Sequence, residues 1–335
     1  MGPGFKITMA GPDHPIYRNG WTVGATRLPD YQCRGQSNGR HDVDPVPGEE
    51  PAARSPESPA TQADLVAGGR WNGYDPVCIE AFKLGDRVGL PFEGCTMFLP
   101  VDERRLEMAL KSSQGSDESS IVDCFLRFAD GYPFSTREQF AWDWVTFHAK
   151  HHGTGYGRTY KDHFNLVAHI RKNAARYPDT GSRVRKLTEI AADADSFGNG
   201  CLALVYPAFC YARFIGQDPV EFVRYLTGFT HANRNAIEAV TLLCHFVECP
   251  QTIADFYADS GISDDVVFRN RYCTGHASAL NTLMTAVKCS IKGTWMGVIR
   301  AGLRIGGDTD STLATAMLLW TLKHNEICQN GGHHE

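Results

Sequence analysis

The chain has 335 residues, 42% hydrophobic and 21% charged, with 33 basic against 38 acidic side chains and a net charge of −5. That composition fits a folded, enzyme-sized protein and excludes a wholly disordered or collagen-like chain. So mild a balance offers no basic patch for nucleic acid, no run of 18 apolar residues offers a membrane span, and the first twenty residues lack the apolar stretch of a secretory signal.

In chain order, residues 1–75 read as an N-terminal extension. Ten of the 17 prolines fall in residues 1–76. Between Gly35 and Ala63 only Val43 and Val46 are aliphatic and larger than alanine. Residues 35–68 are therefore expected to be a flexible linker, too poor in apolar surface to offset its ordering entropy. Before it, Phe5, Ile7, Ile16, Tyr17, Trp21, Val23 and Tyr31 suit either a small arm that docks on the body or a partner, or a loose tail. From Asp75 onward the apolar spacing is helical, over 77–90, 102–111, 118–130, 135–149, 160–176, 183–194, 201–215, 218–230, 233–247, 276–289, 293–304 and 311–324. In 233–247, for example, Ile237, Val240, Cys244 and Val247 recur at steps of three and four and make one apolar face. Several stretches open on a cap, as at Ser135 or Asp218-Pro219. Neither period-two alternation of strand length nor a solenoid repeat is present. The expected fold is all-α, one compact multi-helix domain over 76–328 with a tail at 329–335. The 11 cysteines form no Cys-x-x-Cys and lie scattered in helical patterns, which predicts free thiols and a reducing, cytoplasmic setting.

Two stretches concentrate oxygen donors. Gly306-Gly307-Asp308-Thr309-Asp310-Ser311 turns tightly into a helix, and Gly115-Ser116-Asp117-Glu118-Ser119-Ser120 precedes another. Each alone reads as a helix cap. Together they supply four carboxylates and two hydroxyls, the inventory for two divalent ions about 4 Å apart. Without metal, carboxylates brought so close would repel and titrate high, so the pair predicts a metal site or wide separation. His152-Gly153-Thr154-Gly155-Tyr156-Gly157-Arg158 presents backbone N–H groups suited to a diphosphate, or is a plain interhelical turn. Gly198-Asn199-Gly200 at a helix start could face phosphate. His231 either contacts a diphosphate or caps its helix. His148, His151 and His152 read as cations at a helix C-terminus.

Taken in order, these pieces resemble the ADP-ribosyl-acceptor hydrolases, the ADP-ribosylglycohydrolase family that includes the dinitrogenase-reductase-activating glycohydrolase. Gly85-Asp86-Arg87-Val88-Gly89 with downstream Glu93 looks like the family's opening helix, and Ser116-Asp117-Glu118-Ser119 stands where it writes Thr-Asp-Asp-Thr. Gly155-Tyr156-Gly157, Ser196-Phe197-Gly198-Asn199-Gly200 and Thr230-His231-Ala232 resemble its Gly-Tyr-Gly, Gly-Asn-Gly and Thr-His segments. Gly306 to Ser311 resembles its closing motif, so the likeness spans 76–325.

The resemblance implies an all-α fold with two divalent ions, Mg²⁺ or Mn²⁺, and hydrolysis of the bond between ADP-ribose and a modified side chain, arginine ahead of serine. Ser116, Asp117 and Glu118 would hold the metals from one side and Asp308, Asp310 and Ser311 from the other. Catalysis would fall to Glu93, Asp117, Glu118 and Asp310. Glu93 resembles the family's gating glutamate, although by itself it reads as a solvated Glu after a proline turn. Substrate would meet Gly153, Gly155, Tyr156, Gly157, Ser196, Phe197, Gly198, Asn199, Gly200 and His231. The implied partner is an ADP-ribosylated protein. The alternative is an immunity protein that neutralises a cognate ADP-ribosyltransferase toxin through its N-terminal extension, with weak or no turnover. Glu118 departs from the family's second Asp and shifts its carboxylate by roughly 1.5 Å, one bond length. Ser116 and Ser311 replace Thr but keep the hydroxyl.

Overall fold

The structure is a computed structural model that describes residues 71–330 apart from positions 72, 96–97, 154–155 and 274–276, with backbone alone for 326–330. The expected linker 35–68, the apolar arm before it, Gly155 and positions 331–335 of the tail lie outside the described residues.

Fourteen α-helices succeed one another among the described residues: α1 Pro76–Gly89, α2 Glu103–Lys111, α3 Asp117–Ala129, α4 Arg137–His151, α5 Arg158–Lys172, α6 Thr180–Ala194, α7 Leu202–Phe214, α8 Pro219–Thr227, α9 Arg234–Glu248, α10 Thr252–Asp259, α11 Asp265–Tyr272, α12 Ala279–Ser290, α13 Trp295–Ile305 and α14 Thr309–Asn330. The all-α expectation holds. The only β pairing among the described residues is two isolated bridges, Cys95 with Gly307 and Gly198 with Ser278. The periodic stretches found twelve of the helices. They missed α10 and α11, each eight residues long, which bury only Ile253 and Phe268 respectively and so leave no repeating apolar face to read. No helix of the described residues is long and apolar enough to cross a membrane. Among the described residues no cysteine forms a disulfide.

The fold is organised around α14. Leu313, Ala314, Ala316, Met317, Leu318 and Leu319 are all at most 3% exposed, so this helix is buried nearly all round, as a central helix must be. Its first turn is polar and buried too. Thr309, Asp310, Ser311 and Thr312 are at most 5% exposed, so the polar groups of that turn must be satisfied by protein or ligand.

Two devices aim α1 and α3 at that turn. On α1, bare glycines allow a very close crossing: a Cβ on Gly85 would lie 2.2 Å from the Leu313 carbonyl oxygen, and one on Gly89 2.4 Å from that of Thr309. The Thr309 hydroxyl then donates to the Gly89 carbonyl at 2.8 Å. Helix α3 is held from behind by aromatic rings. Phe125 packs on Trp144 of α4 at 5.1 Å, on Tyr211 of α7 at 6.1 Å and on Trp71 at 6.3 Å between centroids. Each buried ring of this kind contributes about 1.5–3 kcal/mol by area, with up to about 1.5 more from ring geometry.

Candidate metal centre

The first turns of α14 and α3 meet head to head. The approach to α14 needs Gly306 and Gly307, whose φ values of 76° and 82° are conformations that side chains with a Cβ rarely adopt. The Gly94 N–H donates to the Gly307 carbonyl at 3.0 Å, which ties the turn carrying Glu93 to this loop. Asp310 accepts the Ser311 N–H at 2.9 Å, and Ser311 in turn donates to Glu118 Oε1. The other Glu118 oxygen meets the Ser116 hydroxyl. Glu118 thus bridges the two motifs, and its length is used in that span.

Asp86 of α1 is fully buried beneath α3. Its Oδ1 accepts the Ser116 hydroxyl at 2.6 Å. Its Oδ2 accepts the N–H groups of Ser116 at 3.0 Å and Ser119 at 3.2 Å, and also the Ser119 hydroxyl. Asp86, Glu118 and Asp310 each present a carboxylate oxygen, all within 4.8 Å of one another. The sequence placed Asp86 in a motif but gave it no role, because its partners stand thirty and more positions downstream. The signal available was an acidic residue between the two glycines of a helix that must be buried.

The neighbouring carboxylates act on one another's charge. Burial raises the Glu118 carboxyl, with the Asp117 and Asp86 charges adding to it. Asp310 is raised by burial and then by Glu118 and Asp308. Half-buried Asp117 is raised by burial first, with Asp86 and Asp308 contributing. Glu93, on the exposed side, is raised by partial burial and then by Asp308 and Asp117. Among the described residues none of these six carboxylates pairs with a basic side chain. Opposing the repulsion are the two helix N-termini, each equivalent to roughly half a positive charge.

The donor set fits a divalent cation. Hard oxygens are what Mg²⁺ or Mn²⁺ takes, and a cation would relieve the repulsion that holds these carboxyls high. Asp308 adds an independent observation. Its Oδ2 accepts from Asn199 Nδ2 at 3.1 Å, while its Oδ1 is buried with no hydrogen-bond partner. An orphaned carboxylate oxygen at this point is an open ligand position.

The remaining candidate residues surround this centre. Ser120 accepts the Gly153 N–H at 3.0 Å and the Tyr156 hydroxyl at 3.2 Å, which docks the glycine-rich loop on the first turn of α3. The Tyr156 ring is buried against His148, Tyr160 and Phe164, and Gly157 is the N-cap position of α5. Ser196 bonds Thr159 at 3.1 Å, whereas Phe197 stands 48% exposed. Asn199 commits both amide hydrogens, one to Asp308 and one to Thr282 at 3.1 Å. Gly198 runs beside His231: a Cβ there would sit 3.4 Å from the imidazole Nε2. Gly200 passes Tyr160, where a Cβ would sit 3.0 Å from the ring. His231 is buried, bonds Thr230 at 2.8 Å and is held neutral by burial, its pKa lowered to about 4. On the Glu93 and Asp308 side a cavity of about 410 Å³ opens, walled also by Tyr272, Thr282, Thr312 and Gly306. Its volume lies within the range of small-molecule sites.

Fold and site together define an all-α protein with a buried, cation-seeking carboxylate centre beside a ligand-sized cavity. No protein-family model matches the chain, and no curated protein matches it. Among solved structures it is similar to one described as an ADP-ribosylglycohydrolase-related protein complex, at 16% sequence identity and a TM-score of 0.49, over 78% of this chain and 88% of that one.

Proposed function

We propose that this chain is a metal-dependent ADP-ribosylglycohydrolase, which removes ADP-ribose from a modified protein side chain, arginine ahead of serine. The observation that carries the reading is the buried group of Asp86, Glu118 and Asp310, with carboxylate oxygens within 4.8 Å of one another, beside the partnerless Asp308 Oδ1 and with no basic partner among the described residues. The order of the sequence motifs supplies the substrate class.

Glu118, Asp310 and the free oxygen of Asp308 would hold the ions, with Asp117, Ser116 and Ser311 completing the oxygen shell. Bound there, divalent cations supply Lewis-acid activation of water and a positive anchor for ribose hydroxyls. The chain supplies the rest. Asn199 holds one oxygen of Asp308, which leaves the other without a hydrogen-bond partner and open to a ligand. Glu93 lines the cavity, and half-buried Asp117 acts on its charge from nearby; a carboxylate so placed could take a proton from water as the glycosidic bond opens. Negative charge on both sides suits the positive character that develops at the anomeric carbon. The cavity between Glu93 and Tyr272 would admit the modified side chain or the nucleotide.

The test is release of ADP-ribose from arginine- and serine-modified proteins in Mg²⁺, Mn²⁺ or EDTA, comparing wild type with Asp308→Ala/Asp310→Ala. Metal-dependent release that the double variant lacks is the expected result. Folded wild-type protein that binds the metal yet releases nothing from either acceptor overturns the hydrolase reading.

A further inference from the structure

We infer that Asp86 is a positioning residue: it clamps the first turn of α3 from α1, so that Glu118 and Ser116 present their oxygens to the cation, and is not itself a ligand. The inference rests on the metal reading above. It begins from acceptor capacity. A carboxylate oxygen has about two lone-pair sites, and Asp86 Oδ2 alone receives three donors. The Ser116 hydroxyl is on Oδ1, and the Ser116 N–H, Ser119 N–H and Ser119 hydroxyl are on Oδ2. A cation on Oδ2 would have to displace one of these donors and leave it unpaired, a cost of about 1–3 kcal/mol, and one on Oδ1 would crowd the Ser116 hydroxyl 2.6 Å away. Asp308, with one oxygen unclaimed, shows the opposite condition.

Space points the same way. A Cβ on Gly115 would lie 2.7 Å from Asp86 Oδ2 and 2.8 Å from the Ser119 hydroxyl oxygen. The backbone entering α3 therefore passes directly against the carboxylate. The Asp86 charge is met instead by the N-terminus of α3, where an anion is favoured. The consequence for the site runs through Ser116. Its hydroxyl lies within hydrogen-bond reach of both Asp86 Oδ1, at 2.6 Å, and Glu118 Oε2, and its single proton serves one of them at a time. Asp86 holds the backbone N–H groups of Ser116 and Ser119 as well and so seats the first turn of α3. Its neighbours Gly85 and Gly89 seat the first turn of α14. One helix, α1, aligns both halves of the centre.

The test is Mn²⁺ binding by the full chain, read by titration calorimetry and by the electron paramagnetic resonance of bound Mn²⁺. Asp86→Asn is expected to bind as many ions as wild type, at about tenfold weaker affinity, the lower end for residues that orient ligands. Ser119→Ala, which removes one of the Asp86 contacts, is expected to weaken binding by less, and the double variant no more than Asp86→Asn alone, because both act through the same seating of α3. Glu118→Gln and Asp310→Asn are expected to lose more than about a hundredfold, beyond what orienting residues contribute. The inference is overturned if Asp86→Asn loses an ion or binds as poorly as Glu118→Gln, or if the Asp86 and Ser119 effects multiply. If Asp86→Asn fails to fold, Ser119→Ala decides alone. A fall in affinity there supports the positioning role, whereas unchanged or raised affinity, as freeing an acceptor site on Oδ2 would give were Asp86 a ligand, overturns the inference. Wild-type protein that binds no Mn²⁺ overturns the metal reading and this role together, whereas the preceding outcomes overturn only the role.

Discussion

His163 shows how burial acts on a single side chain. It is 7% exposed, and its Nε2 is buried without a hydrogen-bond partner. Burial lowers its pKa to about 4, with a bond to the Phe229 backbone opposing the shift. Unfolded, the same imidazole titrates near 6.5, so it contributes stability that is complete above about pH 6.5 and lost as the pH falls toward 4. At about 1.4 kcal/mol per unit the loss reaches roughly 3 kcal/mol. Denaturant unfolding at successive pH values should therefore give a shallower acid slope for His163→Gln than for wild type. Equal slopes would mean that His163 accepts its proton in place. His148, read from sequence as a cation on a helix C-terminus, is likewise buried and neutral, its pKa lowered to about 3. The error has a physical source, since helix position is visible in sequence but the rings packed over a face are not. For the same reason Ser116, Asp117, Glu118, Asp308, Asp310 and Ser311 were legible as neighbours along the chain, while Asp86 was not. At Glu118 the reach to both Ser116 and Ser311 makes Glu118→Asp a loss. With one methylene fewer, only one of the two hydroxyls stays in contact, and metal affinity should fall about tenfold, as calorimetric titration would report. A gain instead would mean that the longer side chain holds the site off its working geometry.

Elements meet here through their ends and their bare faces. Helix α1 is amphipathic enough to be read from spacing, yet the glycines that matter most, Gly85 and Gly89, would count as weak points on propensity alone. Their use appears only once α14 is laid across them. Gly85→Ala sets two effects against each other. Alanine favours the helix by about 1 kcal/mol, but its methyl would lie 2.2 Å from the Leu313 carbonyl oxygen. That oxygen belongs to the backbone of a buried helix and cannot swing aside. The clash therefore wins, with a net loss of about 2 kcal/mol expected from overpacking. Urea unfolding measures it, and a stabilised variant would mean that the two helices cross further apart. The same displacement would separate Asp86 from Asp310 and should weaken Mn²⁺ binding together with stability. Loss of both in one variant marks a shared cause.

Across the whole molecule a single hydrophobic cluster runs from Trp71 to Leu319. Trp71 contributes directly, its ring 5.3 Å from Tyr211, so residues from 71 onward already share one continuous core. A chain beginning at Trp71 should therefore melt within about 3 °C of the full chain, a difference worth roughly 1 kcal/mol at this size. The carboxylate centre lies inside that body, where close like charges oppose folding and a bound cation would offset them. Mn²⁺ at about a hundred times its dissociation constant stabilises a one-site protein by about 2.7 kcal/mol, or roughly 5–10 °C at 2–4 °C per kcal/mol. Scanning calorimetry should show this rise in the full and the shortened chain alike, and no rise in Asp308→Ala/Asp310→Ala. A rise confined to the full chain would place a metal ligand in residues 1–70. A double variant that still rises would place the ion away from the first turn of α14. The equal rise follows from where the sequence puts its oxygen donors, since all six carboxylates fall between positions 86 and 310 and every element that holds them is anchored in the same core.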